Sequence, residues 1–266
     1  SVNIICSDKT GTLTQNKMTV VKHYTLRNLK DVPNDRIVTL QPSKDEEQLV
    51  KSLVLCSDAT YENGQGTGDP TEVALIVLGD KYNMSKNILN TKHKRVSENP
   101  FDSDRKLMST LNAEGSGYQV HTKGALDNLL KISTNVLQDG KVVPLTEELK
   151  SDLLKVTEEM SDAALRVLGV AYKDTSDMIK PDEMEKDLTL IGLVGMIDPP
   201  RLEVKDSINE AKSAGITPIM ITGDHKNTAV AIAKELGIAD SLEQSMSGAE
   251  IDSLSDEDFS ENIRNY

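Results

Sequence analysis

The chain has 266 residues, 27% of them charged, and a formal net charge of −13. That balance argues against a broad basic face for nucleic acid, but it leaves open a phosphate site, which needs only local positive charge and backbone N–H groups. Aromatic residues make up 3% with no tryptophan, too few for a base-stacking platform. The longest apolar runs, such as 191–197, are far shorter than the ~20 residues a membrane helix needs.

The length suits one large domain or two smaller ones. Cys6 and Cys56 have neither metal-ligand nor disulfide spacing. Both sit in apolar stretches and are expected to be buried free thiols, as in a reducing compartment. No signal peptide precedes the first strand, and the chain opens without methionine, as an excised soluble piece of something larger would.

In chain order, residues 2–6 form an apolar β-branched run that reads as a buried strand. Asp8 stands where that strand ends, and Gly11 allows a tight turn. Residues 15–30 read as a turn, then strand through Thr19-Val20-Val21 and His23-Tyr24-Thr25-Leu26. Residues 31–47 are polar, with Pro33 and Pro42, and read as loop or hairpin edge. Leu49, Val50, Leu53, Val54 and Cys56 give helical periodicity over 46–57. Residues 58–68 read as loop. A helix is expected over 70–82, with Asp69 as N-cap, Pro70 at N1 and Glu72 at N3 of a capping-box-like start.

Basic residues at 92–95 precede Asn99-Pro100-Phe101-Asp102, read as loop. Strands are expected at 107–111 and 118–122, helices at 124–132 and 147–160, and strands at 165–172 and 188–194. An acidic, solvated loop covers 174–187. After Asp198-Pro199-Pro200-Arg201, a helix at 202–214 ends on Gly215, a strand covers 217–221, and a helix at 225–236 ends on Gly237. The acidic tail, 248–266, reads as partly helical. Residues 1–17 and 196–266 thus share a parallel-sheet character, and 18–195 read as an insertion with antiparallel strand pairs.

The chemistry centres on Cys6-Ser7-Asp8-Lys9-Thr10-Gly11-Thr12-Leu13-Thr14. A carboxylate at a strand's carboxyl end, beside a lysine and three threonine hydroxyls, can attack phosphorus. Asp8 is the expected nucleophile toward a phosphoryl group. Mg²⁺ is expected on its carboxylate, because in-line attack needs charge neutralisation. Lys9 has a plainer reading as a solvated lysine. Thr222, Gly223 and Asp224 follow the 217–221 strand directly, where a hydroxyl and an N–H can hold phosphate oxygens; an ordinary N-cap turn is the alternative. Asp198-Pro199-Pro200-Arg201 reads at the least as a stiff linker and helix start, with Asp198 able to cap. The four histidines show no zinc spacing, and no P-loop or G-x-S-x-G occurs.

Ile5-Cys6-Ser7-Asp8-Lys9-Thr10-Gly11-Thr12-Leu13-Thr14 resembles the phosphorylation motif of P-type cation-transporting ATPases, which belong to the haloacid-dehalogenase-like superfamily. Continued through Gln15-Asn16-Lys17-Met18-Thr19-Val20, it is most similar to the branch holding calcium and sodium/potassium pumps. The resemblance implies an α/β fold. Residues 1–17 and 196–266 would be an incomplete phosphorylation domain on a partial haloacid-dehalogenase-like parallel sheet, and 18–195 an inserted α+β nucleotide-binding domain on an antiparallel sheet. It implies ATP and Mg²⁺ as cofactors, with the Thr10 carbonyl on Mg²⁺ and its hydroxyl on the phosphate. Hydrolytic relatives carry a second aspartate where Thr10 stands. Threonine cannot act as a general acid or base, so an aspartyl-phosphate here would persist.

The same resemblance places Asp224 near phosphate and nucleotide, and makes 198–201 an interdomain hinge whose Arg201 reaches the ribose or phosphate. Gly68-Asp69-Pro70-Thr71-Glu72 is similar to the nucleotide-domain motif that sets Glu72 near the adenine amino group. Phe101 resembles the aromatic that stacks on adenine, and Lys106 the lysine of F-x-x-x-x-K. Ser103 departs from the arginine of many calcium pumps. Lys123-Gly124-Ala125 resembles K-G-A, whose lysine lies deep in the pocket and whose Gly124 admits the base. Arg166 and Leu168 resemble the L-R-x-L pair that meets phosphates and adenine; Leu168 also reads as plain strand core. The family's G-D-G-x-N-D motif and its preceding lysine do not occur. Neither do the cation-binding membrane helices or the actuator T-G-E loop, so the partners implied are ATP, a transported cation and an actuator domain, with no nucleic acid. The segment is expected to be a monomer on the cytoplasmic side of a membrane. Rival readings are a binding module without turnover and a stand-alone phosphatase capped by 18–195.

Overall fold

The structure, a computed structural model, describes residues 2–33, 41–224 and 226–266. Part of the loop expected at 31–47, and His225 at the start of the helix expected over 225–236, lie outside the described residues.

The elements run β1 (Ile4–Asp8), β2 (Thr19–Thr25), β3 (Asn28–Asp31), α1 (Lys44–Leu55), β4 (Thr60–Glu62), β5 (Gln65–Thr67), α2 (Pro70–Lys81), α3 (Lys86–Lys92) and β6 (Arg95–Asp102). There follow β7 (Leu107–Glu114), β8 (Gly117–Gly124), α4 (Leu126–Ile132), β9 (Ser133–Gln138), β10 (Lys141–Pro144), α5 (Glu147–Asp162), β11 (Arg166–Thr175), α6 (Pro181–Met184) and β12 (Leu188–Ile197). The chain ends through α7 (Leu202–Ser213), β13 (Thr217–Ile221), α8 (Lys226–Leu236), α9 (Gly248–Asp252) and α10 (Asp256–Asn262). Among the described residues no helix is long and apolar enough to cross a membrane.

The chain divides into two compact units. One comprises Ser1–Lys17, Ser161–Leu165 and Asp198–Tyr266; the other comprises Met18–Met160 and Arg166–Ile197.

The larger unit is built on a sheet of order β10-β9-β12-β11-β8-β7-β6, with the β2–β3 hairpin joined through β12. Its pairings are antiparallel except β12 with β9. Helix α1 starts in a capping box: Glu46 N donates to Ser43 Oγ at 3.2 Å, and Ser43 N donates to Glu46 Oε2 at 2.7 Å. Its stripe of Leu49, Val50, Leu53 and Val54 is fully buried against α2 and the sheet residues Val170, Ile191, Val194 and Met196. Gly169 points to the opposite face from Val170, where a Cβ would lie 2.7 Å from Leu129 of α4.

Gly192 in β12 pairs with Thr25 of β2, and a Cβ there would lie 1.9 Å from the Tyr24 carbonyl oxygen. Backbone cannot give way as a flexible side chain does. Gly192→Ala is therefore expected to destabilise the protein by about 2–4 kcal/mol, read as a lower urea midpoint at unchanged m-value.

In the smaller unit, among the described residues, β1 pairs only with β13, in parallel. Helices α7 and α8 end on Gly215 and Gly237, both with positive φ, each closed by a Schellman-type pair.

Several expectations are corrected. The 2–6 run is not buried: Ile4 and Ile5 are exposed, and so is Cys6, because β1 has one strand partner and little to cover its faces. Cys56 is buried as expected. The strand expected through 19–26 is β2 and stops at Thr25. The loop at 58–68 contains the β4–β5 hairpin, turned by Asn63-Gly64 with positive φ at both residues, a type I′ signal present in the sequence. Phe101 lies in strand β6 rather than a loop, and the acidic 174–187 stretch holds the end of β11 and the short α6.

Candidate functional site

The candidate residues fall into two groups, one in each unit.

In the smaller unit the parallel register sets Asp8 opposite Ile221. The motif turn and Thr222-Gly223-Asp224 therefore leave the same end of the same strand pair, where α/β sheets bind ligands. Asp8 is exposed, and among the described residues its carboxylate has no protein partner. Lys9 is buried instead. It is only 6% exposed, and its ammonium pairs with the Asp224 carboxylate, which overturns the solvated-lysine reading. Thr10 is exposed on the Lys9–Leu13 turn, which Gly11 closes with φ +77°. Thr222 Oγ1 accepts from Asp224 N at 3.1 Å, an N-cap-like turn just before α8.

Asp198 caps no helix. Its Oδ2 accepts from the Thr14 hydroxyl at 2.5 Å and its Oδ1 from Lys17 N at 2.9 Å, while the N-cap of α7 is Arg201. The aspartate finds these donors across the chain because Thr14 bridges to Pro200. Arg201 lies against the motif turn as well: Nε donates to Thr14 O at 3.0 Å and Nη2 to Gly11 O at 3.2 Å. Both ends of Asp198-Pro199-Pro200-Arg201 thus hold the segment that carries Asp8.

In the larger unit the second group forms around Lys123, at the end of β8. Lys123 is buried. Its Nζ donates to Glu72 Oε1 at 2.5 Å, to the Cys56 carbonyl, and to Ser57 Oγ at 3.3 Å. Glu72 does not close a capping box. Asp69 alone caps α2, accepting from Thr71 N and Glu72 N, and Glu72 Oε2 instead accepts from Asp58 N at 2.7 Å and Ala59 N at 3.0 Å. A carboxylate with a cation on one oxygen and two N–H groups on the other is well satisfied.

The end of α1 collects further cations. Arg95 Nη2 donates to the carbonyls of Leu55 and Ser57 at 3.0 and 2.9 Å, and Lys86 Nζ to those of Ser57 and Ala59 at 2.8 and 2.6 Å. The partial negative charge of a helix C-terminus favours such partners. Burial pulls the Lys86 pKa down, and it pushes the Cys56 thiol up against the opposing pull of Lys123 and Arg95.

Gly124 is required by a close approach of protein backbone. A Cβ there would lie 2.1 Å from the Lys106 carbonyl, which also accepts from Ala125 N at 3.1 Å. Lys106 is exposed, with φ +54°. Arg166, at the start of β11, is exposed, and its Nη1 donates to Thr71 Oγ1 at 2.9 Å. Phe101 is 63% exposed on β6, whose flanking residues Asn99 and Asp102 pair with Ser109 and Leu107 of β7. Leu168 packs partly buried against the main core. The fold therefore gathers Glu72, Lys106, Lys123, Gly124 and Arg166 at the start of α2 and one end of β7, β8 and β11, beside an exposed Phe101. Sequence reasoning missed Arg95, Lys86 and Asp58; the only signal was the basic cluster at 92–95.

Residues 45–203 match the family model described as P-type ATPase, cytoplasmic domain N. The chain belongs to the P-type ATPases. It is 51% identical over 265 residues to a calcium-transporting ATPase 1 of Bacillus cereus, covering 99% of this chain and 29% of that protein. Proteins of the same name from Lactococcus lactis and Saccharomyces cerevisiae are 46% and 39% identical, over 99% and 97% of this chain and 30% and 29% of their own lengths. The chain thus spans about three-tenths of the curated relatives it matches.

Proposed function

We propose that this chain is the ATP-binding and phosphoryl-accepting region of a pump that couples ATP hydrolysis to cation transport, with Ca²⁺ as the cation. The relatives' names support the choice of ion. In this reading 1–17 and 196–266 are part of the phosphorylation domain, whose β1–β13 pair belongs to a haloacid-dehalogenase-like parallel sheet, and 18–195 are the nucleotide-binding domain. Asp8 attacks the γ-phosphorus of ATP. The Thr222 hydroxyl and an N–H of the Thr222-Gly223-Asp224 turn hold the phosphoryl oxygens, and Asp224, paired with Lys9, lies near the phosphate and nucleotide. Glu72, Phe101, Lys106, Lys123, Gly124, Arg166 and Leu168 form the nucleotide site. Membrane and actuator domains are its partners, on the cytoplasmic side.

The observation that carries this reading is the Asp8–Ile221 register, which sets an unpartnered carboxylate and the Thr222-Gly223-Asp224 turn at one sheet end. Mg²⁺ fits in part. An exposed Asp8 carboxylate and the Thr10 carbonyl would supply two oxygen ligands, and the ion, which keeps waters and phosphate oxygens as its other ligands, neutralises charge there. No group of three or more His, Cys, Asp or Glu converges on a metal among the described residues. A capped phosphatase fits less well, because the Thr10 hydroxyl is too weak an acid and base to protonate a leaving group or activate a water; turnover of a generic phosphoester by this chain would favour it.

The nucleotide site is tested by calorimetric titration of the chain with Mg-ATP. Saturable binding is expected, weakened in Phe101→Ala by about 1–3 kcal/mol, the usual loss of one aromatic stacking contact. Equal affinity in the two proteins would remove Phe101 from the site.

A further inference from the structure

Glu185 belongs to none of the motifs. It follows α6 in the acidic 174–187 stretch, which sequence reasoning assigns to solvated surface. Its side chain is 13% exposed, and one oxygen, Oε1, takes three donors from a single hairpin. These are Asn99 Nδ2 of β6 at 3.1 Å, the fully buried Ser109 Oγ of β7 at 2.9 Å, and Arg105 Nη1 of the connecting turn. Arg105 continues the chain of contacts, since its Nη2 donates at 2.6 Å to the carbonyl of Pro100, the residue before Phe101. The turn is closed from within by Asp102 Oδ1, which accepts from Asp104 N and Arg105 N, and by Lys106 N on the Asp102 carbonyl.

The segment bearing Glu185 is itself anchored. Met184 is fully buried, and Lys173 Nζ donates to the carbonyls of Glu183 and Lys186. A rigidly held carboxylate therefore grips both strands and the turn that present Phe101 and Lys106. Both of those are exposed.

We propose that Glu185 is a positioning residue for the nucleotide site: through Arg105 and the Pro100 carbonyl it fixes where Phe101 stands, and so sets ATP affinity from outside every motif. This rests on the nucleotide-site reading above. A ring held in its stacking position loses less freedom on binding than one on a loose turn, and pre-organisation of that kind raises affinity without adding a ligand contact.

The test is a double-mutant cycle on the 266-residue chain, with Mg-ATP titrated into wild type, Glu185→Ala, Phe101→Ala and the double variant, well below the melting temperature of each. Glu185→Ala is expected to raise Kd about tenfold, and less than about twofold when Phe101 is already alanine, because contacts acting through one group are not additive. An unchanged Kd in Glu185→Ala overturns the proposal. So does the same fold-loss in both backgrounds, which would mark a general structural effect. If Glu185→Ala does not fold, Arg105→Gln cuts the same link from its other end: a Kd raised about fivefold supports the proposal, and an unchanged one overturns it. Wild type that fails to bind ATP would instead remove the nucleotide-site reading, and the proposal with it, before any variant is compared.

Discussion

Asp8→Asn, made in a full-length P-type pump carrying this sequence, should show no phosphoenzyme above background when incubated with radiolabelled ATP and quenched in acid. The wild-type label should survive acid and be released by hydroxylamine, as an acyl phosphate is. The expected effect is close to total, because asparagine keeps the size and polarity of the side chain but lacks the anionic oxygen that attacks phosphorus. The geometry makes the result easy to interpret. Among the described residues the Asp8 carboxylate has no protein partner, so its replacement breaks no internal contact. The Lys9–Asp224 pair and the β1–β13 register do not depend on it. Folding stability should stay within about 0.5 kcal/mol, as for surface changes elsewhere. Hydroxylamine-sensitive label persisting on the variant would place the acceptor at another residue, and the reading of this site would fall.

Lys123→Ala is expected to act on both stability and ligand. The ammonium is nearly buried and serves four acceptors: Glu72, the Cys56 carbonyl, Ser57 and the Met108 sulfur. Its removal leaves the Glu72 carboxylate on two backbone N–H groups and a buried helix-end carbonyl short of a donor. Breaking a buried ion pair from one side costs about 3–5 kcal/mol. The two N–H groups that remain on Glu72 argue for the lower end, about 3 kcal/mol, measured by urea denaturation. ATP affinity should fall separately by ~1–3 kcal/mol, the range of a charge-assisted contact. The two effects are read by different experiments, and affinity is compared at temperatures where the variant remains folded. A destabilised variant with wild-type affinity would leave Lys123 as a structural ion-pair partner only.

The local elements were legible where one residue decides them. Asp69 before Pro70 starts α2, Gly215 and Gly237 end α7 and α8, and Gly115-Ser116-Gly117 turns β7 into β8. The ends of β1 and β13 were legible too, and with them the order in which Asp8 and Thr222-Gly223-Asp224 emerge. What stayed hidden was the choice of partners. Glu72 could cap its own helix or reach out, and it reaches 51 residues along the chain to Lys123. Asp198 could cap α7, yet holds Thr14, 184 residues away. Glu185 stands among other acidic residues with nothing to single it out until Asn99, Arg105 and Ser109 are brought to it.

Sequence alone determined that a carboxylate ends the first strand and that a threonine rather than a second acid stands two residues after it, because these depend on residue type and on spacing within one element. Tertiary structure alone decided that Lys9 turns inward to Asp224, that Cys6 is exposed while Cys56 is buried, and which carboxylates pair with which cations. The physical reason is that burial and ion pairing are set by what the rest of the chain packs beside a residue, and that neighbourhood is assembled from segments far apart in the sequence.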